Sequence, residues 1–160
     1  MELVKANDSE ADFQRFLKLE KEFNSYYDSL GIGEQYVRIP ADKIPVADYK
    51  KEFLSYLAGG SYFVFIREQN DYAGYISGSV DKLPSGYQDG LVGHLDSVIV
   101  TEKYCQQGLD KILMDSFFEW LRQQGVEICQ LHVKAKNIKA VSYYEKMGFE
   151  VDNLRMWMKI

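Results

Sequence analysis

Two cysteines, three prolines and two histidines in 160 residues leave little from which to build a disulfide framework or a metal centre. Cys105 and Cys129 do not form a metal-ligand spacing and the histidines do not complete one, so no metal is expected. A chain without a disulfide pattern fits a reducing compartment, and a cytoplasmic location is expected. No apolar run approaches the length that spans a bilayer, and residues 1–5 hold neither a basic n-region nor an apolar h-region, so no membrane partner is expected. Positive charge is also short. Nineteen Lys and Arg stand against 24 Asp and Glu, a net charge of −5, and the bases are scattered rather than gathered on one face. That argues against nucleic acid as a partner. There is no low-complexity stretch, linker or internal repeat, and one domain over residues 1–160 is expected.

What is present is core material: 46% of the residues are apolar and 14% aromatic. A chain of this length can bury a substantial core without cross-links. The order of elements reads as mixed α/β. A short strand over 2–6 precedes a helix capped by Asp8 or Ser9, with Phe13, Phe16, Leu17, Leu19 and Phe23 on its apolar face. Residues 26–47, with Gly31, Gly33, Pro40 and Pro45, read as a long irregular connection, and its Tyr26, Tyr27 and Tyr36 suit either an acceptor pocket or a lid. Asp48 opens a second helix that Gly59 and Gly60 end. Strands over 62–66 and 72–80 form a hairpin across residues 69–71, and a central strand follows over 93–100.

From Val98 to Met114 that strand runs through a glycine-bearing turn into a helix marked by Leu109, Ile112, Leu113, Phe117, Trp120 and Leu121. The helix begins near Gly108. Its first N–H groups lack intrahelical partners at the positive end of the macrodipole, which suits a phosphate. One such turn is weak evidence, because many strand-turn-helix units bind nothing. A second segment sharpens it. A strand over 127–133 leads to Asn137 as N-cap, a helix of about ten residues, and Gly148 as the residue that stops it. A last strand is expected over 154–160.

Asn137, Ala140, Tyr144, Gly148 and Phe149 match the Asn-x-x-Ala-x-x-x-Tyr-x-x-x-Gly-Phe pattern of the GNAT superfamily of acetyl-CoA-dependent acyltransferases, which the chain resembles over nearly its whole length. In the phosphate loop Gly108 matches. Cys105 stands where Arg or Gln is usual, and Asp110 where a small residue is usual. A carboxylate there repels a pyrophosphate, with Lys103 and Lys111 as candidate counter-charges. The resemblance implies a GNAT-like α/β (α+β) fold, with a mixed central sheet of six to seven strands and about four helices, in which the central strand and the strand near Cys129 splay apart.

By the same resemblance, acetyl-CoA would be held by Val98, Ile99, Val100, Cys105, Gln106, Gln107, Gly108, Leu109, Asp110 and Lys111, with Asn137, Ala140 and Tyr143 from the later helix. The implied activity is transfer of an acetyl group to a primary amine by direct attack in a ternary complex. The acceptor would be a small molecule or a peptide, and the resemblance is compatible with a homodimer. Amine deprotonation calls for a carboxylate, and Asp96 is the only acid within 93–100; it serves as base or hydrogen-bonds a neighbouring strand. A backbone N–H near Val98 to Val100 would stabilise the oxyanion. Tyr144 would protonate the thiolate by resemblance, or pack as a core aromatic. His94 is a reserve proton relay, and Cys105 at the lip of the loop is a filler or a thiol activated by the helix end. A competing reading is a catalytically silent GNAT-fold domain that binds a ligand or partner. A third, another nucleotide at the same helix end, lacks both the P-loop and the dinucleotide fingerprint.

Overall fold

A computed structural model describes residues 1–29, 31, 38–158 and 160. Five strands form one sheet in sequence order: β1 (Glu2–Lys5), β2 (Tyr62–Glu68), β3 (Asp71–Lys82), β4 (Leu91–Val100) and β5 (Ile128–Leu131). All neighbours are antiparallel except β4 and β5, which are parallel. Helices α1 (Glu10–Ser29), α2 (Val46–Leu57), α3 (Leu109–Gln123) and α4 (Ile138–Lys146) complete the fold.

Local chemistry sets the helix ends. The Ser9 hydroxyl accepts from the Asp12 amide at 3.2 Å, which gives an orphan donor of the first turn of α1 its partner, and the Asp12 carboxylate accepts from the Asn7 amide at 2.9 Å, which fixes the chain entering the helix. Helix α1 continues past the expected break at residue 26, so Tyr26 and Tyr27 are helical, while Tyr36 lies outside the described residues. Helix α2 begins two residues before Asp48, after Pro45, and Asp48 falls in its first turn, where a carboxylate suits the dipole. Asn137 caps α4 by accepting from the Ala140 amide at 3.3 Å, and Gly148, at φ 98°, ends it as expected.

Two cores lie on opposite faces of the sheet. One is aromatic, with Phe13, Phe16, Phe53, Phe63, Phe65 and Tyr75 between the sheet and α1 and α2. The other, with Ile66, Ile76, Leu95, Leu113, Met114 and Phe117, lies under α3. Trp120 packs beside this second core against Phe117 and Tyr62, at ring separations of 5.8 and 5.2 Å. The sheet has five strands rather than the expected six to seven. The expected last strand is missing among the described residues 154–158 and 160, and Lys159 lies outside them. Leu154, Met156 and Met158 are exposed, so the apolar residues that suggested a strand are not buried by a pairing.

Candidate active site

A bulge in β4 organises the site. Ser77 pairs with Ser97 and Gly78 with Leu95, so Asp96 is the extra residue between two pairs. The consequence shows in the cores: Leu95 joins the α3 side and Ile99 the α1 and α2 side, although residues four apart in a regular strand share a face. Asp96 and Ser97 therefore both border a cavity of about 300 Å³ beneath α1 and α2. Partial burial raises the Asp96 carboxyl above its usual range; His94 opposes the shift, Asp81 adds to it, and a hydrogen bond with Ser79 opposes it. His94 itself lies 3.5 Å from Asp81 and 3.0 Å from the Gln130 amide.

Beyond Leu95, β4 and β5 part. The parallel register runs from Val92 opposite Ile128 to Leu95 opposite Leu131 and ends there. The Thr101 amide donates to the Ala73 carbonyl at 2.9 Å, toward β3. Amides alternate sides along a strand, so the N–H groups of Val98 and Val100 point away from β3, toward the side that β5 has left. The Val100 carbonyl on this side accepts from the Cys105 thiol at 3.9 Å.

The loop after β4 makes a single 3-10 turn over Glu102–Tyr104 and then places Gln106 at φ 67° and Gly108 at φ 74°. Gly108 is the N-cap of α3 and no side chain caps it, so the first amides of a 15-residue helix carry no side-chain acceptor from the cap. Asp110 lies in that first turn. Neither expected counter-charge is committed to it: Lys111 pairs with Asp115 at 2.6 Å and Lys103 with Asp71 at 3.0 Å. At the Cys105 thiol the opposing cation is Lys139 of α4. The Cys105 thiol is pushed up by burial and then by the carboxylates of Glu102, Asp110 and Glu22, the reverse of activation by the helix end.

Helix α4 faces two ways. Burial, followed by the influence of Tyr27, raises the Tyr144 phenol to about 12, and its ring meets Phe149 edge-on at 5.8 Å. Tyr143, 5.4 Å from it between ring centres, is raised by burial and then by Asp110. The Asn137 side chain that caps α4 also donates to the Tyr27 hydroxyl at 3.1 Å, tying α4 to α1.

Several cavity residues were not singled out in the sequence, namely Glu20, Tyr49, Glu52, Tyr56 and Ser97, and Asp48 was read there only as a helix start. Glu20 is 5% exposed. The Tyr75 hydroxyl donates to its Oε1, and the Asn24 amide donates to its Oε2 at 3.0 Å. Burial outweighs these bonds and raises Glu20 from an ordinary 4.5 to about 7, with Glu52 adding to the rise. The Ser97 Oγ lies 3.0 Å from the Tyr75 hydroxyl, so a hydrogen-bonded line runs from β4 to Glu20. A signal for Glu20 was present: it occupies a helical position between Phe16 and Phe23 on the face that buries apolar side chains.

The family model for GNAT acetyltransferases matches residues 17–149. The chain belongs to the GNAT acetyltransferase family. It is similar to the ribosomal protein bS18-alanine N-acetyltransferase of Escherichia coli, 33% identical over 61 residues, which cover 38% of this chain and 41% of that relative. The match thus spans about two fifths of the length of that relative. In fold the chain is similar to the BH1408 protein of Bacillus halodurans, in a tetramutant form, at a TM-score of 0.80 and 13% identity over 100% of both chains. It is also similar to the aminoglycoside N-acetyltransferase AAC(6')-Iy, solved with CoA, at a TM-score of 0.72 and 13% identity over 99% of this chain and 93% of that one. At such identities these two structures speak for the GNAT fold alone.

Proposed function

We propose that this GNAT chain transfers an acetyl group from acetyl-CoA to a primary amine by direct attack in a ternary complex. The observation that carries the reading is the bulged β4. It sets Asp96 at the acceptor cavity while the amides of Val98 and Val100 face the gap that β5 leaves. The turn residues fit the coenzyme: left-handed Gln106 and Gly108 bring backbone close, and the first amides of α3 have no side-chain acceptor from the cap. Asn137 and Ala140 frame the start of α4, with Tyr143 reaching toward Asp110. Acetyl-CoA supplies an activated acetyl group and a thiolate as leaving group.

The chain's own residues meet the remaining demands. An ammonium group must lose a proton before it can attack, and Asp96, raised by burial, accepts it directly or through a water. The amides of Val98 and Val100 act where negative charge develops on oxygen. Tyr144, at about 12, is a weaker acid than a thiol of ordinary pKa near ~8.5. Full transfer of its proton would be uphill by about 5 kcal/mol, so Tyr144 acts as a hydrogen-bond donor at the leaving sulfur. Replacement of Tyr144 by Phe should lower turnover by about tenfold or more with coenzyme affinity held within about twofold. Unchanged turnover would remove Tyr144 from the mechanism.

Asp110 in the phosphate-binding turn favours a second reading, a silent GNAT-fold domain that binds a ligand or partner without acyl transfer. Calorimetric titration with acetyl-CoA, CoA and ATP separates the two. Saturable binding selective for the CoA compounds upholds the enzyme. No binding at millimolar coenzyme would turn the reading to the silent domain.

A further inference from the structure

The cavity beneath α1 and α2 carries four carboxylates, on Glu20, Asp48, Glu52 and Asp96, and among the described residues none of its lining side chains is basic. Arg38, which reaches the lining Asn24, is engaged by Asp28 at 2.9 Å and by the Asn24 side-chain oxygen at 3.0 Å. Acidic side chains alone do not make a site. Tyr49 supplies an independent sign: it lines the same cavity, is 2% exposed, and its hydroxyl makes no hydrogen bond of full geometry among the described residues, the Asn24 side chain influencing it only weakly. A buried hydroxyl left without a partner costs free energy unless a ligand supplies one.

The acids come from three elements: Glu20 from α1, Asp48 and Glu52 from α2, and Asp96 from β4. Asp96 and Ser97 stand at the β4 end, next to the amides of Val98 and Val100. Asp48 and Glu52 lie one turn apart on α2, with Tyr49 between them and Tyr56 donating to Glu52 at 2.9 Å. A single ammonium at the β4 end would leave the α2 carboxylates uncompensated. The rings of Tyr49, Tyr56 and Phe23 add faces that attract a cation and a short apolar spacer.

We propose that the acceptor is a small molecule with at least two ammonium groups, its reacting nitrogen beside Asp96 and Ser97 and its distal ammonium held by Asp48 and Glu52 next to the Tyr49 hydroxyl. The proposal rests on the acetyltransferase reading for the role of the first nitrogen only. A linear polyamine and an amino sugar share this chemistry. A peptide amino terminus, with one cation followed by neutral amides, does not.

The test is calorimetric titration of the full chain without coenzyme, using putrescine, the amino sugar neamine, n-butylamine and trialanine amide as probes. Putrescine or neamine should bind at least about tenfold more tightly than n-butylamine, and the tighter of the two identifies the source. Glu52→Gln, and separately the exposed Asp48→Asn, should each weaken putrescine by about fivefold or more while leaving n-butylamine within about twofold. Tyr49→Phe should weaken putrescine with the melting temperature unchanged or raised. Equal binding of putrescine and n-butylamine overturns the proposal, as does tighter binding of the peptide or indifference of putrescine to both acidic substitutions. Titration of acetyl-CoA on the same preparations keeps the two readings apart. Dication selectivity without coenzyme binding sinks acetyl transfer and leaves the cation site standing, whereas coenzyme binding without dication selectivity does the reverse.

Discussion

Glu20 stands where α1 calls for a hydrophobe, one turn from Phe16 and within the face that packs on the sheet. Its carboxyl keeps hydrogen bonds from Tyr75 and Asn24, yet burial and Glu52 raise it to about 7. The sign of the linkage follows. A carboxyl raised from 4.5 to about 7 stabilises the fold fully below 4.5 and loses that contribution as pH climbs to and through 7, because the unfolded chain releases the proton first. The full swing is about 3 kcal/mol. Urea unfolding at a series of pH values from about 4 to about 8 should therefore show the native chain losing stability relative to Glu20→Gln by that amount. The glutamine carries its own constant offset, since its amide meets the Asn24 amide, so the slope against pH is the decisive readout. Parallel curves would mean that Glu20 titrates as an ordinary carboxyl.

Among the elements, α4 was legible almost to the residue because its signals are local: Asn137 caps and Gly148 stops within one helix length. The bulge was not legible. Leu95 and Ile99 both read as buried strand residues, and which face each takes depends on how many β3 residues oppose them. Asp96 was found by elimination, as the only acid in the strand, and its place at the cavity comes from the register skip. The skip falls beside Gly78, where an added Cβ would lie 2.4 Å from Phe117 and 2.5 Å from the His94 carbonyl oxygen. One neighbour is backbone and the other a fully buried ring of α3, so neither yields freely. Gly78→Ala should destabilise the chain by about 1–3 kcal/mol, seen as a fall of several degrees in thermal melting. An unchanged midpoint would show that β3 and α3 are looser at this point than their packing indicates.

Over the whole molecule, the two halves of the site differ in how far apart their residues lie in sequence. The proposed coenzyme half draws on two short segments, 98–111 and 137–143, each with a local pattern of its own. The proposed acceptor half joins Glu20 to Tyr75, 55 residues apart, and Tyr75 to Ser97, 22 apart, and no local pattern records that juxtaposition. The last strand failed for a related reason: an apolar run at 154–158 says that burial is favourable but not which surface provides it. Correct local reading and missed long-range reading come from the same physics, because side-chain identity constrains near neighbours directly and distant ones only through the packed fold.

The charge of the whole chain then sets how its two proposed ligands should respond to salt. With a net charge of −5 and the carboxyl groups of Asp48, Glu52 and Asp96 around one cavity, the field attracts a dication. The same field repels an anionic coenzyme, while the α3 amides and Lys139 attract it locally, so added salt weakens two opposing effects. The Debye length falls from about 30 Å at 0.01 M to about 8 Å at 0.15 M salt. Across that range putrescine affinity should fall by roughly tenfold and n-butylamine by a few-fold, with acetyl-CoA changing less than either. Titration at the two salt concentrations measures all three. A putrescine affinity as indifferent to salt as that of acetyl-CoA would mean that the carboxylates of α1, α2 and β4 do not face the bound cation, and the acidic cavity would then lose its part in choosing the acceptor.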